Sequence, residues 1–197
     1  MKKAAIILSL FLGFSCLACN RSAPDSASKA TTPNPTTVLI VRHAEKASEG
    51  DNPPLTEAGL KRAQGLVRVV QDADIKAIYT TQLIRSRDTA KPLADRLGIS
   101  ITEMAVNPAN VADYGKTLAK ELLDKHKGKT VLVVSHTNIM PALIEALSGK
   151  AIEPISDPDY DNLFIVTIPA NEPARLIKAQ YGLEQKTGSE MQMKMGK

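Results

Sequence analysis

Apolar residues occur along the chain in short uninterrupted runs separated by amphipathic stretches. Three runs lack polar alternation: VLIV at 38–41, VLVV at 131–134 and LFIVTI at 163–168. Such runs are typical of strands that are covered on both faces of a sheet. A weaker run at 75–79 predicts a further strand, and the segment 174–181 predicts an edge strand.

Amphipathic stretches between these runs predict four helices, one from near Thr56 and the others over 84–97, 113–126 and 138–147. Thr56 is a residue type favoured at helix N-caps, and Gly98 and Gly149 suit helix C-terminal ends. Pro92 inside the second stretch predicts a bend or a fresh start. Strands that alternate with helices predict a layered α/β domain with a largely parallel central sheet.

The N-terminal segment differs in composition and is set apart from the fold. Residues 1–18 combine Lys2 and Lys3 with a short apolar run, which indicates an export signal. The run is shorter than the roughly 20 apolar residues that a membrane-spanning helix needs. The segment resembles a bacterial lipoprotein signal, in which cleavage leaves a lipidated cysteine. We assign that cysteine to Cys19, with Cys16 as the alternative and a plain cleaved signal with a soluble product as a third interpretation.

Composition divides the remaining chain into three parts. Residues 19–37 are rich in Ser, Thr, Pro and Ala and predict a flexible tether. Residues 38–182 are long enough for one core and form the predicted domain, and 183–197 form a polar tail. Both cysteines precede the domain, so it has neither a disulfide nor a cysteine nucleophile. Removal of the signal lowers the net charge from +4 to +2 and leaves no basic stripe with interleaved aromatics, which excludes nucleic acid as a partner.

Two of the three histidines follow apolar strands at equivalent positions. His43 follows VLIV after one residue, and His136 follows VLVV after one residue. Ligands of α/β sheets bind beyond the carboxyl ends of the strands, so these two side chains are expected to converge on one crevice. The third histidine, His126, lies among lysines at a predicted helix end and is interpreted as a solvated residue.

Arginines near the same strand ends predict an anion site. Arg85 lies near the start of the second predicted helix, where amide N–H groups and the helix dipole favour an anion. Arg42 and Arg85 carry guanidinium groups whose geometry matches phosphate oxygens. Arg87 is interpreted as a surface residue. Lys46 follows the first histidine and is expected either to line the mouth of the pocket or to lie on the surface.

No metal site is predicted. The histidines have no paired carboxylates at ligand spacing beside them, and the three aspartates of SDPDYDN at 156–162 lack the glycine and terminal glutamate of a calcium loop. That segment is interpreted as a turn before the strand that follows.

An ordered set of motifs resembles a known family, namely VRHAEK at 41–46, LTEAG at 55–59, LIRSRDTA at 83–90 and VVSHTN at 133–138. Together they resemble the histidine phosphatase superfamily, also called phosphoglycerate mutase-like. The resemblance implies a three-layer α/β/α sandwich and a covalent phosphohistidine mechanism that needs no cofactor or metal. It implies that His43 is the nucleophile and that Arg42, Arg85 and His136 complete the phosphate pocket.

One family feature is missing. Many members place a catalytic Glu or Asp in a long insert after the second arginine motif, whereas here Arg85 and His136 are only 51 residues apart (136 − 85). Glu103 and Asp113 are the available acids, and each is better interpreted as solvated. The short spacing resembles a branch that includes bacterial phosphohistidine phosphatases and an envelope group.

The sequence therefore predicts a metal-independent phosphatase of the cell envelope that acts on a small phosphorylated substrate. A phosphomutase of the same superfamily is one alternative. A catalytically idle lipoprotein that binds phosphate or a phosphorylated glycan is another.

Overall fold

Residues 33–182 are described by a computed structural model. The predicted signal, the lipidation site and the tail at 183–197 lie outside the described residues. The first strand begins at Thr36, two residues before the boundary predicted for the folded domain. Within the described part of the chain, no helix is long and apolar enough to cross a membrane.

Six strands and four helices make up this part of the chain. The strands are β1 Thr36–Arg42, β2 Ile75–Thr80, β3 Ile101–Glu103, β4 Thr130–Ser135, β5 Asn162–Ile168 and β6 Arg175–Gln180. The helices are α1 Glu57–Val70, α2 Ile84–Leu97, α3 Val111–Lys125 and α4 Met140–Ser148. The sheet order is β3-β2-β4-β1-β5-β6, with β3, β2, β4 and β1 parallel to one another and β5 and β6 joined by antiparallel pairing. The predicted α/β fold with a mostly parallel sheet is confirmed.

The two faces of the sheet carry separate helix layers. Along β1, Val38 and Ile40 pack into a core with α3 and α4, whereas Leu39 and Val41 pack into a second core with α1 and α2. All four side chains are buried. Successive side chains of a strand point to opposite faces, so a central strand covered on both sides must be apolar at every position. The uninterrupted apolar run is thus explained, and the three-layer sandwich is confirmed.

The LTEAG motif serves the start of α1. Thr56 caps the helix, with its hydroxyl oxygen accepting from the Gly59 amide at 3.1 Å. A Cβ atom on Gly59 would lie 2.2 Å from the carbonyl oxygen of Glu45, so only glycine fits there. The motif therefore packs the start of α1 directly against the segment that follows His43.

Three local features differ from what the sequence predicts. Strand β3 was not predicted from the sequence, because it has only three residues and lies at an exposed edge of the sheet, where no apolar run is needed. His126 is not simply solvated. Its ring is partly buried, and its Nε2 lies 3.0 Å from the Tyr79 hydroxyl. The contact forms because the Tyr79 side chain of β2 lies beside the end of α3. Helix α2 is one continuous element through Pro92, so the proline does not begin a new helix.

Candidate active site

His43 lies at the carboxyl end of β1 with its ring buried. Its amide donates to the carbonyl of Ser135 at 3.0 Å, which ties the residue to the end of β4. Its Nδ1 lies 2.8 Å from the carbonyl oxygen of Ala44. Because a carbonyl oxygen only accepts hydrogen bonds, Nδ1 carries the proton and the lone pair of the neutral ring is on Nε2. The backbone thereby selects the tautomer with a nucleophilic Nε2.

The structure brings His136 beside His43. Strands β1 and β4 are adjacent and parallel, with Arg42 opposite Ser135, so the next residue of each strand lies at the same edge of the sheet. The two imidazole centroids are 5.2 Å apart and the rings are inclined at 57°. The convergence expected from the two strand ends is observed.

Two buried hydroxyl groups contact the Nε2 atom of His136. Its Nε2 lies 2.9 Å from the Thr81 hydroxyl and 3.5 Å from the Ser86 hydroxyl, and these two hydroxyls are 3.1 Å apart. The contacts occupy Nε2 and leave Nδ1 as the ring nitrogen for a ligand. Sequence reasoning missed Thr81 and Ser86, because a hydroxyl residue at a strand end or in a first helical turn is common and carries no signal of its own.

Arg42 is held by the loop 156–160, which is distant from it along the chain but adjacent to it in space. Its Nη1 donates to the carbonyls of Ser156, at 3.3 Å, and of Asp157, while its Nη2 lies 3.1 Å from Asp157 Oδ1. The guanidinium carbon sits 4.1 Å from the ring centroid of Tyr160, and that ring lies 5.9 Å from the His43 ring. The segment interpreted as a turn does contain a turn, but it also forms one wall of the site.

Arg85 approaches the same place as the second residue of α2. No carboxylate within residues 33–182 pairs with its guanidinium, and burial together with the nearby Arg42 charge lowers the pKa of Arg85. The Nε atoms of both arginines are buried and have no hydrogen-bond acceptor in the described part of the protein. Two neighbouring cations with spare donors make a site that favours an anion.

Comparison with known proteins identifies the family. The sequence profile of the histidine phosphatase superfamily (branch 1) matches residues 38–106 and 105–179. The chain belongs to this superfamily. The resemblance inferred from the ordered motifs is confirmed, and membership associates the chain with phosphatase or phosphomutase-like activity. A comparison with curated protein sequences gave no match.

Solved structures share the fold of this histidine phosphatase. A mycobacterial hydrolase has 16% identity and a TM-score of 0.59, and the match covers 76% of this chain and 100% of that chain. The protein histidine phosphatase SixA, complexed with tungstate, has 20% identity and a TM-score of 0.53 over 73% of this chain and 96% of its own. A mycobacterial glucosyl-3-phosphoglycerate phosphatase has 14% identity and a TM-score of 0.55 over 77% and 100% of the two chains. At these identities the likeness demonstrates a common fold.

Both site histidines of this histidine phosphatase are neutral at pH 7. Burial lowers the pKa of His43 to about 4, and the charges of Arg42, Arg85 and Lys46 act in the same direction against the hydrogen bond to Ala44. Burial, with His43 and the two arginines, lowers the pKa of His136 to about 3. A neutral imidazole keeps the lone pair that a nucleophile needs.

These lowered pKa values predict acid sensitivity of the ligand-free protein. An unfolded histidine protonates near pH 6.5, whereas His43 resists protonation until about pH 4. Between these values the unfolded chain binds more protons, so stability is fully present above pH 6.5, declines as the pH falls and is lost through the folded pKa. We expect the thermal midpoint to fall over this window and to fall less steeply in His136→Gln. The thermal midpoint is measured against pH by circular dichroism at matched ionic strength. If it falls equally steeply in the wild type and in His136→Gln, the lowered pKa of His136 does not contribute to the acid sensitivity, and the prediction is wrong.

Lys46 lies at the edge of the site. Its side chain is exposed, but its charge is close enough to contribute to the lowered pKa of His43. The preceding Glu45 is instead bound to the buried Arg62, with Oε1 2.7 Å from Nη2. This ion pair anchors the segment after His43 to α1, and it leaves Lys46 exposed at the mouth of the site.

The two acids considered from the sequence do not join this cluster. Glu103 lies 3.3 Å from Arg87 in a half-exposed ion pair, which places Arg87 at the surface as predicted. Asp113 is exposed in the first turn of α3. The carboxylate that does contact the cluster is Asp157, through Arg42. Within residues 33–182, no group of three or more His, Cys, Asp and Glu side chains is placed to hold a metal ion.

Proposed function

We propose that this histidine phosphatase hydrolyses a small phosphorylated substrate, without a metal, through a phosphohistidine on His43. The observation that carries the proposal is the placement of Nε2 of a neutral His43, fixed by the Ala44 carbonyl, beside His136. Arg42 and Arg85 supply positive charge at the same sheet edge. The set matches what phosphoryl transfer requires, which is positioning of the nucleophile and stabilisation of negative charge.

The reaction proceeds in two displacements. His43 Nε2 attacks phosphorus, and the bond from phosphorus to the leaving oxygen breaks with its electron pair remaining on that oxygen. Arg42, Arg85 and His136 contact the three equatorial oxygens, where charge redistributes in the transition state. Water then attacks phosphorus, and the bond from phosphorus to Nε2 breaks with its electron pair returning to Nε2. Neutral His43 is restored, and the proton that water loses passes to the departing phosphate or to solvent.

The leaving group determines how much acid help is needed. A leaving alkoxide takes up a proton, and a positioned general acid is worth about 10²–10⁴ in rate. Neither Glu103 nor Asp113 contacts the four site side chains of the described protein. The proposal therefore favours substrates whose leaving group needs little protonation, such as aryl phosphates, anhydrides and phosphohistidine.

The direct test is turnover of p-nitrophenyl phosphate by the purified mature protein, with and without EDTA. We expect equal rates and, on rapid quench, a phosphoprotein that is stable in base and labile in acid. Loss of turnover in EDTA that added metal restores would overturn metal independence. Tight phosphate binding without a phosphoprotein would favour the idle binding protein, and phosphate exchange between two positions of one substrate would favour the phosphomutase.

We further propose that the protein is located in the cell envelope, with its mature N-terminus anchored by a lipid on Cys19. The basic start, the short apolar run and the cysteine that follows it support this proposal. The test is incorporation of labelled palmitate in a bacterial host by the wild-type protein and by Cys19→Ser and Cys16→Ser. Labelling lost only in Cys16→Ser would move the anchor to that residue, and an unlabelled, soluble wild-type protein would refute the anchor.

A further inference from the structure

A cleft opens beside the phosphate-binding groups. Its volume is about 390 Å³, within the range of sites that bind small organic molecules. Arg85 and His136 belong to its lining, together with the aliphatic side chains of Leu83, Val106, Val111 and Ile139. The cleft is thus continuous with the proposed active site.

The position of the cleft relative to the nucleophile agrees with an in-line reaction. Arg85 and His136 belong to its lining, whereas His43 does not. A phosphoryl group held by Arg85 and His136 would therefore have the cleft beside it. In an in-line displacement the leaving group departs away from the nucleophile, so a space that His43 does not line is a suitable place for it.

Hydrogen bonds within the protein fix the outer wall of the cleft. The side-chain amide of Gln82 makes two hydrogen bonds to the backbone of Val106, donating to its carbonyl at 2.7 Å and accepting from its amide at 3.0 Å. Asn110 accepts from the Asn107 amide at 2.8 Å and donates to the carbonyl of Ala105 at 3.0 Å. A wall fixed in this way costs little ordering entropy when a ligand packs against it.

The charge of the lining selects the kind of leaving group. Apart from Arg85, which serves the phosphoryl group, and the neutral His136, the lining has no ionisable side chain. A second phosphate or a carboxylate placed in the cleft would find no cationic partner among the lining residues to offset what hydration it loses. An uncharged group with an apolar face would instead gain from burial against the aliphatic walls.

We infer that this cleft is the leaving-group subsite and that it takes an uncharged, ring-sized group with an apolar face. The inference rests on the proposed function, since it assigns the substrate class of the same site. It also separates this enzyme from members that act on bisphosphates, because the subsite offers no second anion pocket.

The experiment compares kcat/KM for p-nitrophenyl phosphate with kcat/KM for acetyl phosphate, which reaches the phosphate pocket but has almost no organic body. Leu83→Ser is the informative variant. Leu83 is the N-cap of α2 and makes no side-chain capping bond, so serine there removes one apolar side chain of the lining and preserves the helix start. We expect the ratio of aryl to acetyl phosphate turnover to fall about 10-fold, the lower end of what one missing apolar contact costs. Leu60→Ser, at an exposed leucine of α1, is the matched control and should leave the ratio unchanged.

Each outcome separates this inference from the proposed function. If the wild-type protein hydrolyses neither compound, the proposed function fails. If it hydrolyses both but the ratio is the same in Leu83→Ser, the subsite is refuted while the function stands. A wild-type preference for a nitrophenyl phosphate that carries a ring carboxylate, over the uncharged ester, would also refute the subsite.

Discussion

Replacement of His43 by alanine is expected to lower kcat/KM for p-nitrophenyl phosphate by a factor on the order of 10⁴–10⁶, the range seen when a nucleophilic enzyme loses a member of its reacting set. The reason is that the side chain supplies the atom to which phosphorus bonds, and neighbouring groups cannot replace it. His136 has its Nε2 engaged by Thr81, so its geometry is set for holding a ligand. The same variant should form no acid-labile phosphoprotein on rapid quench.

A matched control is available in the third histidine. His126 bonds to the Tyr79 hydroxyl at the end of α3 and makes no contact with the site cluster in residues 33–182. His126→Gln should therefore keep wild-type turnover. If His43→Ala retained wild-type turnover, or if labelled phosphate were trapped on another residue, the assignment of the nucleophile would be wrong.

Replacement of Arg85 by glutamine is expected to lower kcat/KM by about 10²–10³, the usual effect of removing one preorganised donor to the transition state. The thermal stability of the ligand-free protein, in contrast, should not decrease. Burial and the neighbouring Arg42 disfavour the charge of Arg85, and no carboxylate of the described residues compensates it. We therefore expect the thermal midpoint of the ligand-free variant to be equal to or above that of the wild type, because glutamine retains part of the side chain without its charge.

Phosphate and a neighbouring arginine provide the controls for this trade-off. Inorganic phosphate should raise the thermal midpoint of the wild type more than that of Arg85→Gln, because a ligand stabilises the folded state in proportion to its affinity. Arg87 lies two residues further on and pairs with Glu103 at the surface, so Arg87→Gln should leave turnover unchanged. A variant Arg85→Gln that is less stable but fully active would show that Arg85 is a structural residue.

The placement of the two histidines and of Arg85 could be predicted because local signals report it. Strands β1 and β4 each contain an uninterrupted apolar run, VLIV and VLVV, and each run is followed at once by polar residues that are unusual in a core. Parallel strands put their carboxyl ends at one edge, so sequence position translated directly into spatial proximity. The helix start at Arg85 was likewise visible in the pattern of α2.

The partners of these residues had no such signal. Asp157 lies 115 residues from Arg42, and the loop 156–160 has the composition of an ordinary turn. Thr81 and Ser86 meet His136 only because β2 lies beside β4 in the sheet. Contacts of this kind depend on which elements become neighbours, and periodicity along one chain does not contain that information.

By itself, the amino-acid sequence determined the layered α/β class and the placement of two histidines and two arginines at the carboxyl ends of the strands, because burial and strand polarity are reported locally by the order of side chains. Only the tertiary structure decided the tautomer of His43, the loop that holds Arg42 and the uncharged cleft beside Arg85. The physical reason is that the loop contact and the cleft arise between segments far apart in the chain, and that the tautomer depends on the backbone geometry at His43 and Ala44, which the apolar pattern of the sequence does not report.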